Sequence, residues 1–249
     1  GYVKVLPEKH EIIGYDPVYR MYANEGKPAG FKGYFVIQFK KPFEKFGTWN
    51  DGEQPEWGSE EAEDRPGAFI KFSTKEGEAV EAKVGTSFVS IDDARKNLET
   101  EIPGWDFEGV KHQAENAWNK ALGKITVSGG SEEQKTNFYT ALYHSMLLPR
   151  LYSDVRGSHP GFSDDSKTTV TSDRDYYMDF SLWDTFRAQF PLLEITQPTR
   201  AQDMVQSLVS MAKQSGWLPS FPMWSHYTTE MNDDHAFPVI SDAYAKGLT

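Results

Sequence analysis

From Gly1 to about Ser90 the apolar positions recur with a period of two, the signature of β structure. In Tyr34–Phe39 both the odd set (Phe35, Ile37, Phe39) and the even set (Tyr34, Val36) carry apolar bulk. A strand covered on both faces is expected there. Ala68–Ser73, Ala79–Val84 and Thr86–Ser90 read as further strands, with Val80, Ala82 and Val84 inward and Glu81 and Lys83 toward water. Phe46–Gly67, rich in Gly, Glu, Asp and Pro, is expected to be a long surface loop carrying Trp49 and Trp57. It is either a solvated excursion, or a lid or aromatic sugar platform reaching towards a neighbouring domain. Short strands with turn signals at this spacing predict an antiparallel β-sandwich.

The period changes near Ser90. Ser90 and the acids after it predict a short helix that Pro103 ends. Phe107, Val110, Ala114, Ala117, Trp118, Ala121 and Leu122 then follow helical spacing, which predicts an amphipathic helix with its aromatics in a core. Lys124–Val127 reads as one returning strand, and Gly129-Gly130 marks the division between residues 1–130 and 131–249. Beyond it helices dominate. Ser131 and Gln134 form a capping box ahead of Phe138, Ala141, Leu142 and Met146, with His144 beside that stripe as a structural histidine. Asp154–Arg174 is polar and turn-rich and suggests a hairpin; its Asp164-Asp165 pair is weighed as a calcium contact against plain solvation. Leu182–Ile195 is expected to be helical with a bend at Pro191, Thr199 to cap the next helix, and Phe237–Lys246 to form another that Gly247 closes. Between them Trp224–Asp234 reads as a polar loop. The fold class is thus a β-sandwich followed by helices.

Composition narrows the chemistry. The 249 residues carry a formal charge of −11, which argues against nucleic acid or an anionic membrane as partner. With no cysteine, disulfides, thiol catalysis and thiolate metal sites are excluded. No apolar run approaches the roughly 20 residues that span a bilayer. The chain opens on Gly1-Tyr-Val-Lys-Val-Leu without an initiator Met or a signal-like start. The natural N-terminus is therefore expected to lie upstream.

Aromatics make up 14% of the chain, and they concentrate with polar groups in Tyr176–Pro191. Asp179, Ser181, Asp184, Thr185 and Arg187 alternate there with Tyr176, Tyr177, Phe180, Trp183 and Phe186. A core segment would be more evenly apolar, since each buried charge needs a partner. The mixture suits a sugar pocket, with rings for the C–H face and carboxylates and Arg for the hydroxyls. A buried helix start with one Asp–Arg pair is the competing interpretation.

Three segments tip that balance. Ser181-Leu-Trp-Asp-Thr-Phe-Arg187, Phe138-Tyr-Thr-Ala-Leu-Tyr-His144 and Ser241-Asp-Ala-Tyr-Ala-Lys-Gly247 resemble consecutive motifs of glycoside hydrolase family 92. That resemblance runs from about Gly30 to the last residue. It implies an exo-acting, calcium-dependent, inverting α-mannosidase with an N-terminal β-sandwich and an (α/α)₆ barrel. On this basis the chain would hold part of the sandwich and the first part of the barrel, and its natural form would be exported, periplasmic or extracellular.

The resemblance also implies site residues. Trp183 and Asp184 would line the subsite of the cleaved mannose, with Arg187 orienting Asp184. Glu230 would be the general acid, ahead of Met231 and a substrate-binding His235. Here the match departs from the family pattern: fewer residues separate Glu230 from Met231, and Asn232-Asp233 replace an apolar residue and a glycine. The base Asp belongs to a later motif, so this chain alone would not hydrolyse mannosides. Calcium is the implied cofactor, with ligands not assigned, and a mannose-containing oligosaccharide the implied partner. A non-catalytic glycan-binding module and a structural domain of a larger complex are the alternatives.

Overall fold

A computed structural model describes residues 1–22, 25–163, 168–232 and 234–248. The chain forms two compact units, one of Gly1–Val18, Gly30–Trp105 and Asp154–Ser158, the other of Tyr19–Ala29, Asp106–Ser153 and the chain from His159.

The strands of the first unit are, in order, β1 (Tyr2–Leu6), β2 (Glu11–Tyr19), β3 (Pro28–Phe39), β4 (Lys45–Asn50), β5 (Glu56–Trp57), β6 (Glu61–Glu63), β7 (Pro66–Lys71) and β8 (Ala82–Ser87). They build a five-stranded sheet, β6-β1-β2-β3-β8, and a three-stranded one, β5-β4-β7. The registered pairs, such as Val5 with Ile12 and Ile37 with Val84, are antiparallel. Val3, Val5, Ile12 and Ala62 of the larger sheet pack against Phe46, Ala68 and Ile70 of the smaller, which makes the predicted sandwich. Helix α1 (Ile91–Glu101) covers the other face, where Ala94 and Leu98 meet Val36. β3 is therefore covered on both sides, as its pattern requires. The Ser90 hydroxyl accepts the Asp93 N–H at 3.0 Å and caps α1.

Two strand expectations fail in this unit. Phe46–Gly67 contains β4, β5 and β6 instead of one loop; its glycines and acids hide strands too short to show a period. Ala79–Val84 and Thr86–Ser90 collapse into the single strand β8, with its faces reversed. Gly85 and Ser87 are buried and Val84 is 52% exposed. The cause is α1, which packs on the Gly85 side. Lys83 tolerates that side because its ammonium leaves along Trp105, 4.9 Å from the ring centroid, and donates to the Ile102 carbonyl at 2.9 Å.

The helices of the second unit begin with α2 (Phe107–Leu122) and α3 (Glu132–His144), the latter opened by the predicted Ser131/Gln134 capping box. Then come β9 (Arg150–Leu151), β10 (Ser158–Pro160), β11 (Thr169–Thr171) and β12 (Tyr177–Met178), paired as β10-β11 and β12-β9. After them lie α4 (Leu182–Thr185), α5 (Gln189–Thr196), α6 (Pro198–Ser215), β13 (Pro222–Met223), β14 (His226–Tyr227) and α7 (Ala236–Ala245). Phe190 and Leu193 of α5, Leu208 and Met211 of α6 and Val239 of α7 are buried core.

Lys124–Val127 is not a strand. The helix predicted over Leu182–Ile195 breaks between α4 and α5, because Pro191 has no N–H for the Arg187 carbonyl and crowds it. Pro198, at the first helical position of α6, displaces Thr199 from the cap. The largest departure is α2, which has no buried residue: Phe107 is 71% exposed, and Trp118 rests on Tyr143 with ring centroids 4.6 Å apart. Periodicity reports an apolar stripe, but not whether anything covers it. Asp164 and Asp165 lie outside the described residues.

Candidate active site

The candidate site is built on the entry to α4. Ser181 starts the turn, and its hydroxyl donates to the Asp184 carboxylate, three residues on. That fixes a carboxylate at an exposed helix start, where the first-turn N–H groups favour negative charge. Arg187 does not orient Asp184. Its guanidinium donates to the Trp183 carbonyl at 2.9 Å and lies over the rings of Phe186 (4.5 Å) and Trp183 (5.4 Å). It acts as a plate under the aromatic face, so Trp183 and Asp184 are presented to solvent side by side, ring and acid. His235, which precedes α7, is buried with its ring 4.5 Å from that of Phe186. Arg187 thus joins Trp183 to Phe186, and Phe186 in turn meets His235.

Asp179 sits just ahead of this turn and is 1% exposed. Its carboxylate accepts from both Nε (2.7 Å) and Nη2 of Arg150, and from the backbone N–H of Trp224 at 3.1 Å. Arg150 in turn lies 4.8 Å over the Trp224 ring. One buried acid therefore ties β9, the α4 entry and the β13–β14 hairpin together. Burial, with the nearby Asp179 charge, holds the neighbouring Tyr152 phenol well above the ordinary tyrosine range, so it stays protonated. Of the polar loop expected over Trp224–Asp234, Trp224–Tyr227 belongs to this hairpin and the described residues after it are irregular. The hairpin's turn residues Trp224 (φ 50°) and Ser225 (φ 60°) are both left-handed, the geometry of a type I′ turn without its usual Asn or Gly.

Glu230 follows on the connection to α7, half-buried, with its N–H directed to Thr228 Oγ1 at 3.3 Å. Thr229 (φ 58°) and Met231 (φ 62°) on either side are also left-handed, as is Asp179 (φ 67°). Non-glycine residues in that region cost of order 1–3 kcal/mol each and cluster at functional sites. Among the described residues no hydrogen bond, ion pair or ring contact joins Glu230 to Trp183, Asp184 or Arg187. Sequence reasoning missed Arg150 and Trp224. A signal for Arg150 existed: a lone base in the apolar stretch Leu147–Leu151, matching the partner that Asp179 requires.

The family model for the glycosyl hydrolase family 92 catalytic domain matches residues 93–249, and that for its N-terminal domain matches residues 1–87. The chain belongs to glycosyl hydrolase family 92. Within this family it is similar to a solved inverting GH92 mannosidase of Bacteroides thetaiotaomicron, at 28% identity and a TM-score of 0.87, covering 100% of this chain and 33% of that one. A GH92 α-mannosidase of the same bacterium gives 29%, 0.86, 100% and 33%. A sequence relative described as an uncharacterized secreted glycosidase of Arthroderma benhamiae is 31% identical over 191 residues, 74% of this chain and 20% of its own length. The family 92 chain thus spans about a third of the solved relatives. No helix among its described residues is long and apolar enough to cross a membrane.

Calcium needs six to eight oxygen ligands. Among the described residues no three Asp, Glu or His side chains converge as such a site would require. The described residues do not fit the ion on their own.

Proposed function

We propose that this chain supplies the sugar-binding face and the general acid of an exported α-mannosidase that releases terminal mannose with inversion. The observation that carries the proposal is the α4 entry, where an exposed indole and an oriented carboxylate follow the buried Asp179, which Arg150 anchors. Trp183 would take the C–H face of the terminal mannose and Asp184 would accept from its hydroxyls. Arg187 and His235 would hold that surface through Phe186. Glu230 would donate its proton to the glycosidic oxygen as the C–O bond breaks, while a carboxylate outside the described residues draws a proton from the attacking water. In inverting enzymes the two carboxyl groups stand about 6.5–9.5 Å apart, leaving room for that water. The mannosidase relatives, one of them solved also with mannoimidazole, support mannose as the sugar. The secreted relative supports export. Calcium dependence rests on the family resemblance alone.

The test is hydrolysis of α-linked manno-oligosaccharides by the full-length enzyme that carries this chain, with the released anomer followed by proton NMR. The expected first product is β-mannose, with activity lost on chelation and restored by calcium. Glu230→Gln keeps the shape but lacks the transferable proton, and should lower kcat about 10²–10⁴-fold. Unchanged turnover in that variant would move the acid elsewhere, and a retained anomer would end the inverting mechanism.

A further inference from the structure

A second concentration of aromatic surface lies in the first unit. β4 pairs with β7 so that Gly47 is opposite Phe69 and Trp49 opposite Gly67, while β5 sets Trp57 opposite Gly47 on the other side. Opposed residues share a sheet face, so Trp49, Trp57 and Phe69 all stand on one side of the three-stranded sheet. The sandwich core is on the other, where Phe46, Ala68 and Ile70 point, one residue out of phase. Core packing therefore does not account for these rings.

The sheet is shaped to hold them. A Cβ on Gly47 would come within 2.4 Å of the Phe69 ring, and one on Gly67 within 2.0 Å of Trp49. Both rings lie across bare backbone that any side chain would lift. Trp57 meets Phe69 edge-on at 4.6 Å and 88°, and Trp49 leans on Phe69 at 6.1 Å and 33°. Phe69 is the fixed pedestal. Trp49 and Trp57 remain 37% and 59% exposed, and with Gln54 and Pro55 they line a shallow cavity of about 530 Å³. The Lys45 ammonium stands 5.9 Å from the Trp57 ring.

We propose that this platform is an accessory glycan-binding site, made of residues other than those at the α4 entry, which holds a chain of neutral hexoses. Pyranose C–H faces stack on Trp49 and Trp57, and the Gln54 amide and the Lys45 ammonium meet the hydroxyls. The flat rings, with an amide lining the same cavity, suit a polyhydroxylated ring better than an aliphatic protein surface. The net charge of −11 disfavours a polyanion. The sugar class rests on the mannoside reading above; the platform itself rests only on its own geometry.

Native affinity electrophoresis separates the two. The protein, its Trp57→Ala, Trp57→Tyr and Trp183→Ala variants are run in gels containing soluble α-mannan and, in parallel, dextran, with circular dichroism confirming each fold. Mannan should retard the wild type, and Trp183→Ala, which removes only the α4-entry contact, should keep the share of retention that depends on Trp57. Trp57→Ala should weaken retention about tenfold, and Trp57→Tyr, which keeps a ring, should restore most of it. Retention by dextran alone that still depends on Trp57 would uphold the platform and remove support for mannose. No retention in either gel, equal retention of Trp57→Ala and wild type, dependence on Trp183 only, or a Tyr variant as weak as the Ala would each overturn the platform.

Discussion

Thr229 holds a β-branched side chain in the left-handed region, one step before the proposed acid. Only a constrained surrounding keeps such a residue there. Replacing it with glycine should raise stability by about 1 kcal/mol, seen as a higher urea midpoint with unchanged slope. Turnover should fall in the same variant, because Glu230 then rests on a freer backbone. A stability gain with full activity would show that the strain has no role in placing the acid. None of this strain is visible in the sequence, since Trp224, Ser225, Thr229 and Met231 are not residues that announce a left-handed turn. Asp179 is the contrary case: a carboxylate among aromatics signals its own need for a partner, although not that the partner stands 29 residues earlier.

At the level of elements, the Arg150–Asp179 pair binds three short pieces that have few backbone pairings of their own. β9 and β12 share only the pairs Tyr177–Leu151 and Met178–Arg150. Arg150→Ala would leave the buried Asp179 carboxylate without its cation and should destabilise the protein by about 3 kcal/mol in urea unfolding. Asp179→Asn in the same background should recover part of that loss by removing the unpaired charge. Here the sequence was informative in proportion to length. β3, α1, α3, α6 and α7 were legible because each repeats its period several times or has capping chemistry at an end. β5, β13 and β14, at two residues apiece, have no period to read. β8 was legible as a strand but not by face, since its covered side is decided by α1 and not by its own alternation.

On the scale of the whole molecule, stability should depend on a buried imidazole. His159 stacks on Tyr176 with centroids 3.6 Å apart and 3° between planes, and its Nδ1–H donates to the Pro160 carbonyl at 2.8 Å. Burial lowers its pKa below 6.5, so the folded state resists the proton that the unfolded chain accepts. The stabilisation is complete above pH 6.5 and is lost as the pH falls toward the folded-state pKa, by at most about 1.4 kcal/mol per pH unit. Unfolding midpoints measured from pH 7 to 5 should decline, and His159→Phe should flatten the decline. The apolar stripe of α2 has a global reading too: with no buried side chain, its amides should exchange with deuterium far faster than those of β3. Its periodicity was legible, but its exposure was not, because exposure depends on what else is present to cover it.

The left-handed turn at Trp224 has a consequence for how this gene can drift. A tryptophan codon becomes a glycine codon by one base change, and glycine is the residue this backbone favours. That single step would relax the hairpin and at the same time discard the ring under Arg150. Random mutagenesis at codon 224 should therefore return glycine readily when selected for thermal survival, and eliminate it when selected for growth on the substrate.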